Sequence, residues 1–218
     1  MMTIDTKICG LSTEGTVKAA LDAGARYIGF VFYPKSPRNV SIEQATKLVE
    51  LVDGEAQTVG VFVNPDDELL NDAIKKVGID IIQLHGNEPV ERVQYIRARF
   101  SKTVMKAISV AAIGDISRAR EYETKADMLL FDAKAPIGLD DALPGGNGLA
   151  FDWNLIAGYQ WRIPWMLSGG LDDFNVAEAI KISGAKIVDV SSGIESSPGN
   201  KDINKIKSFI KAAQETTE

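Results

Sequence analysis

The chain has very little of two reactive side chains, because its 218 residues include one cysteine, Cys9, and one histidine, His85. A single cysteine cannot form an internal disulfide, which suits a reducing compartment. No apolar run approaches the ~18 residues that span a bilayer, and the first residues carry no signal-peptide core. We therefore expect a cytoplasmic protein with no membrane contact.

Positive charge is also in the minority, since 24 lysines and arginines stand against 30 aspartates and glutamates and give a formal net charge of −6. No basic tract is interleaved with aromatic residues, which argues against a nucleic-acid partner. Hydrophobic residues make up 45% of the chain, enough to bury one sizeable core, and α/β barrels of about 200–250 residues are commonly one domain. We expect residues 1–218 to form a single domain.

Short apolar runs alternate along the chain with segments of helical period. Parallel strands that are buried on both faces produce such runs. Eight strand–helix units in this length favour an α/β fold, a closed (βα)8 TIM barrel, over an open doubly wound sheet. No Gly-x-Gly-x-x-Gly dinucleotide motif follows the first run. The eight predicted strands cover 4–9, 26–31, 58–63, 79–84, 103–108, 127–132, 163–168 and 186–190.

Three segments between the strands carry more specific expectations. Asn64 before Pro65 predicts a helix N-cap and the first helical residue. A short helix is expected over about 151–157. Residues 133–150 form a long loop after the sixth strand, and loops of that length in compact domains are usually lids or disordered.

The carboxyl ends of barrel strands form the ligand-binding face, so polar residues that end the apolar runs are candidate site residues. Side chains alternate between the two faces of a strand. Lys7 and Cys9 are therefore predicted to face the barrel interior together, and so are Val104 and Lys106. A nearby Lys7 would lower the pKa of Cys9. The candidates are Cys9, Arg38, His85, Asp132, Gly169, Gly170, Asp189, Ser192 and Gly193.

Some of these positions indicate a phosphorylated ligand. Gly169-Gly170 and Ser192-Gly193 follow the seventh and eighth strands, where barrels commonly bind phosphate through backbone N–H groups. Arg38 carries a guanidinium fork suited to a carboxylate or a phosphate.

Each candidate also has a purely structural interpretation. Cys9 could act only as a small buried apolar side chain. His85 could be an interior histidine whose hydrogen bonds are satisfied, and Arg38 could be a surface residue of a turn. Asp132 is harder to explain in this way, because it follows the apolar run 128–131. A buried carboxylate needs a compensating partner, and its sequence neighbours offer none.

Six sequence blocks, taken in order, form a joint pattern. They are Lys7-Ile8-Cys9-Gly10-Leu11, Gly29-Phe30-Val31-Phe32 with Pro34 and Ser36-Pro37-Arg38, Val59-Gly60-Val61-Phe62-Val63-Asn64, Gln83-Leu84-His85-Gly86 with Glu88, Gly169-Gly170-Leu171, and Val188-Asp189-Val190-Ser191-Ser192-Gly193-Ile194-Glu195 with Pro198-Gly199 and Lys201-Asp202. From the first strand to the last helix, this pattern resembles the phosphoribosylanthranilate isomerase family of tryptophan biosynthesis. The chain departs from the usual family sequence at Gly145-Gly146-Asn147-Gly148, Ser168 and Asp172-Asp173-Phe174.

The resemblance implies a reaction and a set of roles. The reaction is the Amadori rearrangement of N-(5'-phosphoribosyl)anthranilate to 1-(2-carboxyphenylamino)-1-deoxyribulose 5-phosphate by general acid and base catalysis, with no cofactor and no metal. Asp132 would be the acid that protonates the furanose ring oxygen, and Cys9 the base that takes the proton from C2′. Arg38 would hold the anthranilate carboxylate, while His85 and Asp189 would orient the ligand. The phosphate would bind at Gly169, Gly170, Ser192 and Gly193.

Other barrels that bind sugar phosphates stay open as alternatives. Indole-glycerol-phosphate synthase and the histidine-pathway aminoaldose isomerase share the fold, but the second would use two aspartates, so Cys9 argues against it. A catalytically silent barrel would bind a sugar phosphate as a sensor or scaffold, and such a relative should have lost Cys9 or Asp132. The sequence is compatible with a monomer or a homodimer.

Overall fold

A closed barrel of eight parallel strands forms the centre of the protein, in a computed structural model that describes residues 3–134 and 145–217. The strands are β1 Asp5–Cys9, β2 Tyr27–Phe32, β3 Gln57–Phe62, β4 Ile81–Leu84, β5 Thr103–Val110, β6 Met128–Ala133, β7 Trp165–Leu167 and β8 Ile187–Val190. β1 pairs with both β2 and β8, which closes the sheet. The predicted TIM barrel and its eight strands are confirmed.

Crossover connections, most of them α-helical, join successive strands on the outside of the barrel, as parallel strands require. Within the described residues the α-helices are α1 Glu14–Asp22, α2 Ile42–Glu50, α3 Asp67–Asp72, α4 Val90–Phe100, α5 Ile113–Ala119, α6 Val176–Ser183 and α7 Ile203–Gln214. After β8 the chain also forms a small antiparallel hairpin of β9 Glu195–Ser197 and β10 Asn200–Lys201, which the sequence patterns did not predict. No described helix is long and apolar enough to cross a membrane.

The segment between β6 and β7 differs from the prediction. A single 3-10 turn, Trp153–Leu155, stands where a helix over 151–157 is expected. Burial there alternates residue by residue from 151 to 155, and this period of two gives a helix no continuous apolar face. The predicted long loop 133–150 lies partly outside the described residues.

The predicted start of α3 is also wrong. Asp66 is the N-cap, and its side chain accepts a hydrogen bond from the backbone N–H of Leu69. Asn64 instead adopts a left-handed backbone conformation, with φ of 47°. Its side-chain oxygen accepts from the N–H of Asn87 at 2.9 Å, and its own N–H donates to Glu88 at 2.8 Å. Contacts with the loop after β4 therefore fix Asn64 and delay the helix.

The barrel interior is an apolar layer below a polar mouth. Its buried side chains include Val59, Val61, Ile81, Met105, Leu130 and Met166. Lys7 and Cys9 face this interior, as alternation along β1 predicts. The matching prediction for Val104 and Lys106 is wrong, because on β5 it is Met105 that faces inward. Val104 packs in the outer core, and the Lys106 ammonium is 2.8 Å from Glu88.

Candidate active site

A cavity opens at the carboxyl ends of the barrel strands, and most of the predicted site residues line it. The empty volume of this cavity is about 770 Å³, and this figure includes the part that is open to solvent. Of the nine candidates, only Gly193 does not line it. The lining candidates are Cys9, Arg38, His85, Asp132, Gly169, Gly170, Asp189 and Ser192.

Cys9 ends β1 next to a buried ion pair. The Lys7 ammonium lies 2.8 Å from Asp189 Oδ1, and the Ser168 hydroxyl donates to Asp189 Oδ2 at 2.8 Å. Both oxygens of Asp189 are therefore held by protein groups. Burial alone would lower the pKa of Lys7, but the Asp189 carboxylate and the nearby Cys9 raise it above its ordinary value, so Lys7 stays charged.

The thiol of Cys9 is a weak acid in this setting. Burial raises its pKa, and the attraction of the Lys7 charge opposes that rise without overcoming it. The prediction that Lys7 would lower the pKa of Cys9 therefore describes only the smaller of two effects. Because a less stable thiolate binds a proton more strongly, Cys9 is a strong base once it is ionised.

Asp132, the next-to-last residue of β6, lies beside His85, which directly follows β4. Asp132 is 4% exposed. Its Oδ1 accepts from the backbone N–H of Ala133 at 2.9 Å, and its Oδ2 is 3.1 Å from His85 Nε2. The other ring nitrogen, Nδ1, is 3.0 Å from the amide nitrogen of Gln83. The compensation that this buried carboxyl group needs thus comes from the backbone N–H of the next residue and from a side chain that follows another strand.

Arg38 is buried at the rim of the cavity and is not a surface turn residue. Its Nε and Nη2 donate to the two carboxylate oxygens of Glu195 at 2.7 and 2.8 Å, and Nη2 also donates to the carbonyl of Gly146 at 3.2 Å. The Lys201 ammonium lies 2.7 Å from Glu195 Oε1. Burial would raise the pKa of Glu195, but Arg38 and Lys201 hold it below its ordinary value.

The charges of Arg38, Lys201 and Glu195 together give the rim a net positive charge. Two cations share one carboxylate, so the group carries about one unit of positive charge beside the cavity. A ligand anion at the rim therefore meets a guanidinium that Glu195 already holds in place. Such preorganisation lowers the entropy lost on binding.

The loops after β7 and β8 bring backbone close to the cavity. Gly169 and Gly170 have φ values of +91° and +61°, which favour glycine. A Cβ on Gly169 would also lie 2.6 Å from the backbone nitrogen of Ala133. Ser192 borders the cavity, whereas Gly193 packs against the carbonyl of Leu171. Because residue 193 has no side chain, the loop after β8 can contact the loop after β7.

Gly145 lies directly against the pair formed by Asp132 and His85. A Cβ at position 145 would be 2.5 Å from Asp132 Oδ2 and 2.6 Å from His85 Nε2. The described end of the loop after β6 therefore covers these two side chains on one side.

Three residues around the cavity were not predicted as site residues from the sequence. Glu195 and Lys201 lie within the recognised blocks, yet only the fold shows that Glu195 holds Arg38 and that Lys201 shares this carboxylate. Gln83 was missed as well, although its spacing of two from His85 places both on one face of β4. Among the described residues no cluster of histidine, cysteine, aspartate and glutamate could hold a metal ion.

Comparisons with known proteins agree with one another. The family model for N-(5'phosphoribosyl)anthranilate (PRA) isomerase matches residues 6–212. The N-(5'-phosphoribosyl)anthranilate isomerase of Paramagnetospirillum magneticum is 50% identical over 213 residues, which cover 98% of each chain. A crystal structure of phosphoribosyl anthranilate isomerase from Thermotoga maritima matches with a TM-score of 0.87 and 38% identity, over 97% of this chain and 99% of that chain.

A further crystal structure shows a relative with a ligand. It is a phosphoribosyl anthranilate isomerase in complex with reduced 1-(o-carboxyphenylamino)-1-deoxyribulose 5-phosphate. It matches with a TM-score of 0.84 and 37% identity, over 97% of this chain and 99% of that chain.

Proposed function

Since this chain belongs to the N-(5'-phosphoribosyl)anthranilate isomerase family, we propose that Cys9 and Asp132 are the base and the acid of its reaction. The reaction is an aldose–ketose isomerisation in tryptophan biosynthesis. The chain converts N-(5'-phosphoribosyl)anthranilate into 1-(2-carboxyphenylamino)-1-deoxyribulose 5-phosphate by an Amadori rearrangement.

Asp132 acts first, as the general acid. Its carboxyl group gives a proton to the furanose ring oxygen, the bond from that oxygen to C1′ breaks, and the anthranilate nitrogen supplies the electron pair that forms a protonated Schiff base. The resulting Asp132 carboxylate is stabilised by the Ala133 N–H and by His85. Stabilising the conjugate base in this way favours proton donation.

Cys9 acts second, as the general base. Its thiolate takes the proton from C2′, and the electron pair of that bond forms the C1′–C2′ double bond while the Schiff-base nitrogen becomes neutral. The enolamine then tautomerises to the ketone. The positive charge of the Schiff base makes the C2′ proton more acidic, and the raised pKa of Cys9 makes its thiolate a stronger acceptor.

The two ends of the substrate bind to different parts of the rim. Arg38 holds the anthranilate carboxylate, because it is a buried guanidinium beside the cavity and is fixed by Glu195. The loops of Gly169-Gly170 and Ser192-Gly193 bind the phosphate through backbone N–H groups. Asp189 orients the ligand indirectly, since its oxygens already accept from Lys7 and Ser168.

One observation carries this assignment: Cys9 and Asp132 are buried on β1 and β6 and line one cavity. An acid and a base on separate strands can reach different atoms of one small sugar. The test is to generate N-(5'-phosphoribosyl)anthranilate in the cuvette and follow the loss of its fluorescence with purified protein. We expect rapid turnover, whereas a rate equal to the uncatalysed background would overturn the proposal and favour a silent barrel.

We also propose that residues 1–218 are one domain, and that the protein acts on its small phosphorylated substrate in the cytoplasm, as a monomer or a homodimer. The closed barrel and the match over residues 6–212 support the first part. Sedimentation of the purified protein measures the oligomeric state, and an assembly larger than a dimer would contradict the proposal.

A further inference from the structure

Gln83 is a polar residue in an apolar layer of the barrel. It is 1% exposed, and its neighbours across the sheet on β3 and β5 are Val61 and Met105. Its Oε1 atom has no hydrogen-bond partner among the residues that the structure describes. A methionine of similar size would fill this space without burying an unpartnered oxygen, so a glutamine here costs stability.

The amide of Gln83 makes one polar contact that bears on the reaction. Its nitrogen lies 3.0 Å from His85 Nδ1. Because an amide nitrogen only donates, Nδ1 is the acceptor and the proton of the neutral ring is on Nε2. In this tautomer Nε2–H is the donor of the 3.1 Å contact with Asp132 Oδ2.

We propose that Gln83 is a positioning residue, which keeps the His85 ring proton on Nε2 so that it faces Asp132. This inference rests on the proposed role of Asp132 as the acid. When Asp132 has given up its proton, the carboxylate receives hydrogen bonds from His85 Nε2–H and from the Ala133 N–H. With the ring proton on Nδ1 instead, the Nε2 lone pair would face that carboxylate, and their repulsion would oppose proton donation.

The central test replaces Gln83 by glutamate, which has the same shape. An ionised carboxylate accepts hydrogen bonds and cannot donate, so it draws the ring proton to Nδ1. We expect kcat of Gln83→Glu to fall by roughly 10- to 100-fold, less than the 10²–10⁴ that a general acid is worth. KM should change by less than about threefold, because Gln83 is not placed at either anchored end of the substrate.

A double-mutant cycle shows whether Gln83 acts through His85. In a His85→Asn background there is no imidazole to orient, so adding Gln83→Glu should lower kcat by less than about threefold. Equal losses in the two backgrounds would overturn the proposal, since Gln83 would then act by another route. An unchanged kcat in the single variant would overturn it as well.

Nitrogen NMR reads the ring directly, because His85 is the sole histidine of the chain. In tag-free protein labelled with ¹⁵N-histidine, the two ring signals report which nitrogen carries the proton. The wild type should show Nδ1 without a proton and Nε2 with one, and Gln83→Glu should show a protonated Nδ1 and an unprotonated Nε2. A wild-type ring with its proton on Nδ1 would contradict the proposal whatever the kinetics.

A second variant guards against misfolding of Gln83→Glu. Gln83→Met removes the unpartnered oxygen, so its melting temperature should equal or exceed that of the wild type while its kcat falls. The matched control is Thr6→Val, which removes a buried hydroxyl that, like Gln83 Oε1, has no partner among the described residues. Thr6 lies on the face of β1 opposite Lys7 and Cys9, so its kcat should be unchanged. A Gln83→Met protein with full kcat would refute the inference.

These readouts separate the inference from the proposed function. If Asp132→Asn retains its kcat, the role of Asp132 fails, and the inference fails with it. If Asp132→Asn is inactive and the Gln83 variants behave like the wild type, only the inference fails.

Discussion

Replacing Arg38 by methionine tests which end of the substrate lies at the positive rim. The side chain is 5% exposed, and its proposed partner is the anthranilate carboxylate, which stays unchanged while the sugar opens and rearranges. An interaction that is equal in the ground and transition states appears in KM and not in kcat. Losing a charge-assisted hydrogen bond of about 1.5–3 kcal/mol should therefore raise KM roughly 10- to 150-fold, with a far smaller change in kcat.

The structure also shows what else this substitution disturbs. Glu195 loses two hydrogen bonds from Arg38 but keeps the Lys201 ammonium at 2.7 Å. Part of the buried pair thus survives, and the stability loss should stay below the 3–5 kcal/mol typical of a fully orphaned buried charge. With Arg38 removed, Glu195 and Lys201 remain as a neutral buried pair, so the rise in KM should come with only a modest fall in melting temperature.

Ligand binding then identifies the group that Arg38 contacts. A product analogue without the ring carboxylate should bind the wild type and Arg38→Met about equally, whereas an analogue without the phosphate should bind both poorly. The reasoning is refuted if Arg38→Met loses its preference for phosphorylated ligands, because Arg38 would then belong to the phosphate site and the two ends of the substrate would be reversed.

Three further predictions follow from the geometry around the base and the acid. Alkylation of Cys9, the sole cysteine, by iodoacetamide should rise with pH around a midpoint above the ordinary value of about 8.5, because burial raises the pKa of its thiol; a midpoint at or below that value would count against the account. In Lys7→Met the midpoint should move to still higher pH, since the charge that favours the thiolate is gone, and an unchanged midpoint would show that Lys7 does not act on it. Gly145→Ala should lower kcat at least tenfold, because its Cβ would press on Asp132 and His85, and a fully active variant would show that this part of the loop gives way.

The strand order and most of the candidate residues that line the cavity could be predicted from the sequence, because both depend on local signals. Buried parallel strands leave apolar runs, and a polar residue at the end of such a run lies at the mouth of the barrel. Cys9, His85 and Asp132 were found in this way. The prediction for Lys106 was wrong because it assigned Val104 and Lys106, rather than Met105, to the inward face of β5. Which face points inward depends on the register of the whole sheet.

The rest of the site depends on contacts between residues far apart in the chain. Nothing near Arg38 in the sequence shows that Glu195 holds its guanidinium, since the two are 157 residues apart. The pKa of Cys9 also depends on residues far away in the chain. Burial raises this pKa and Lys7 lowers it, and only the fold shows how deeply the thiol is buried. Gln83 looks like an ordinary strand residue until the fold places its amide against the ring of His85.

The most direct measurement of the central claim is the steady-state kinetics of wild type, Cys9→Ala and Asp132→Asn with N-(5'-phosphoribosyl)anthranilate generated in the assay. Cys9→Ala should keep its melting temperature and its affinity for a product analogue while kcat falls by roughly 10²–10⁴, the usual worth of a positioned base. Asp132→Asn should be at least as slow, because an amide cannot deliver a proton to the ring oxygen. Near-native kcat in either variant, with the fold intact, would remove that residue from the mechanism and contradict the account.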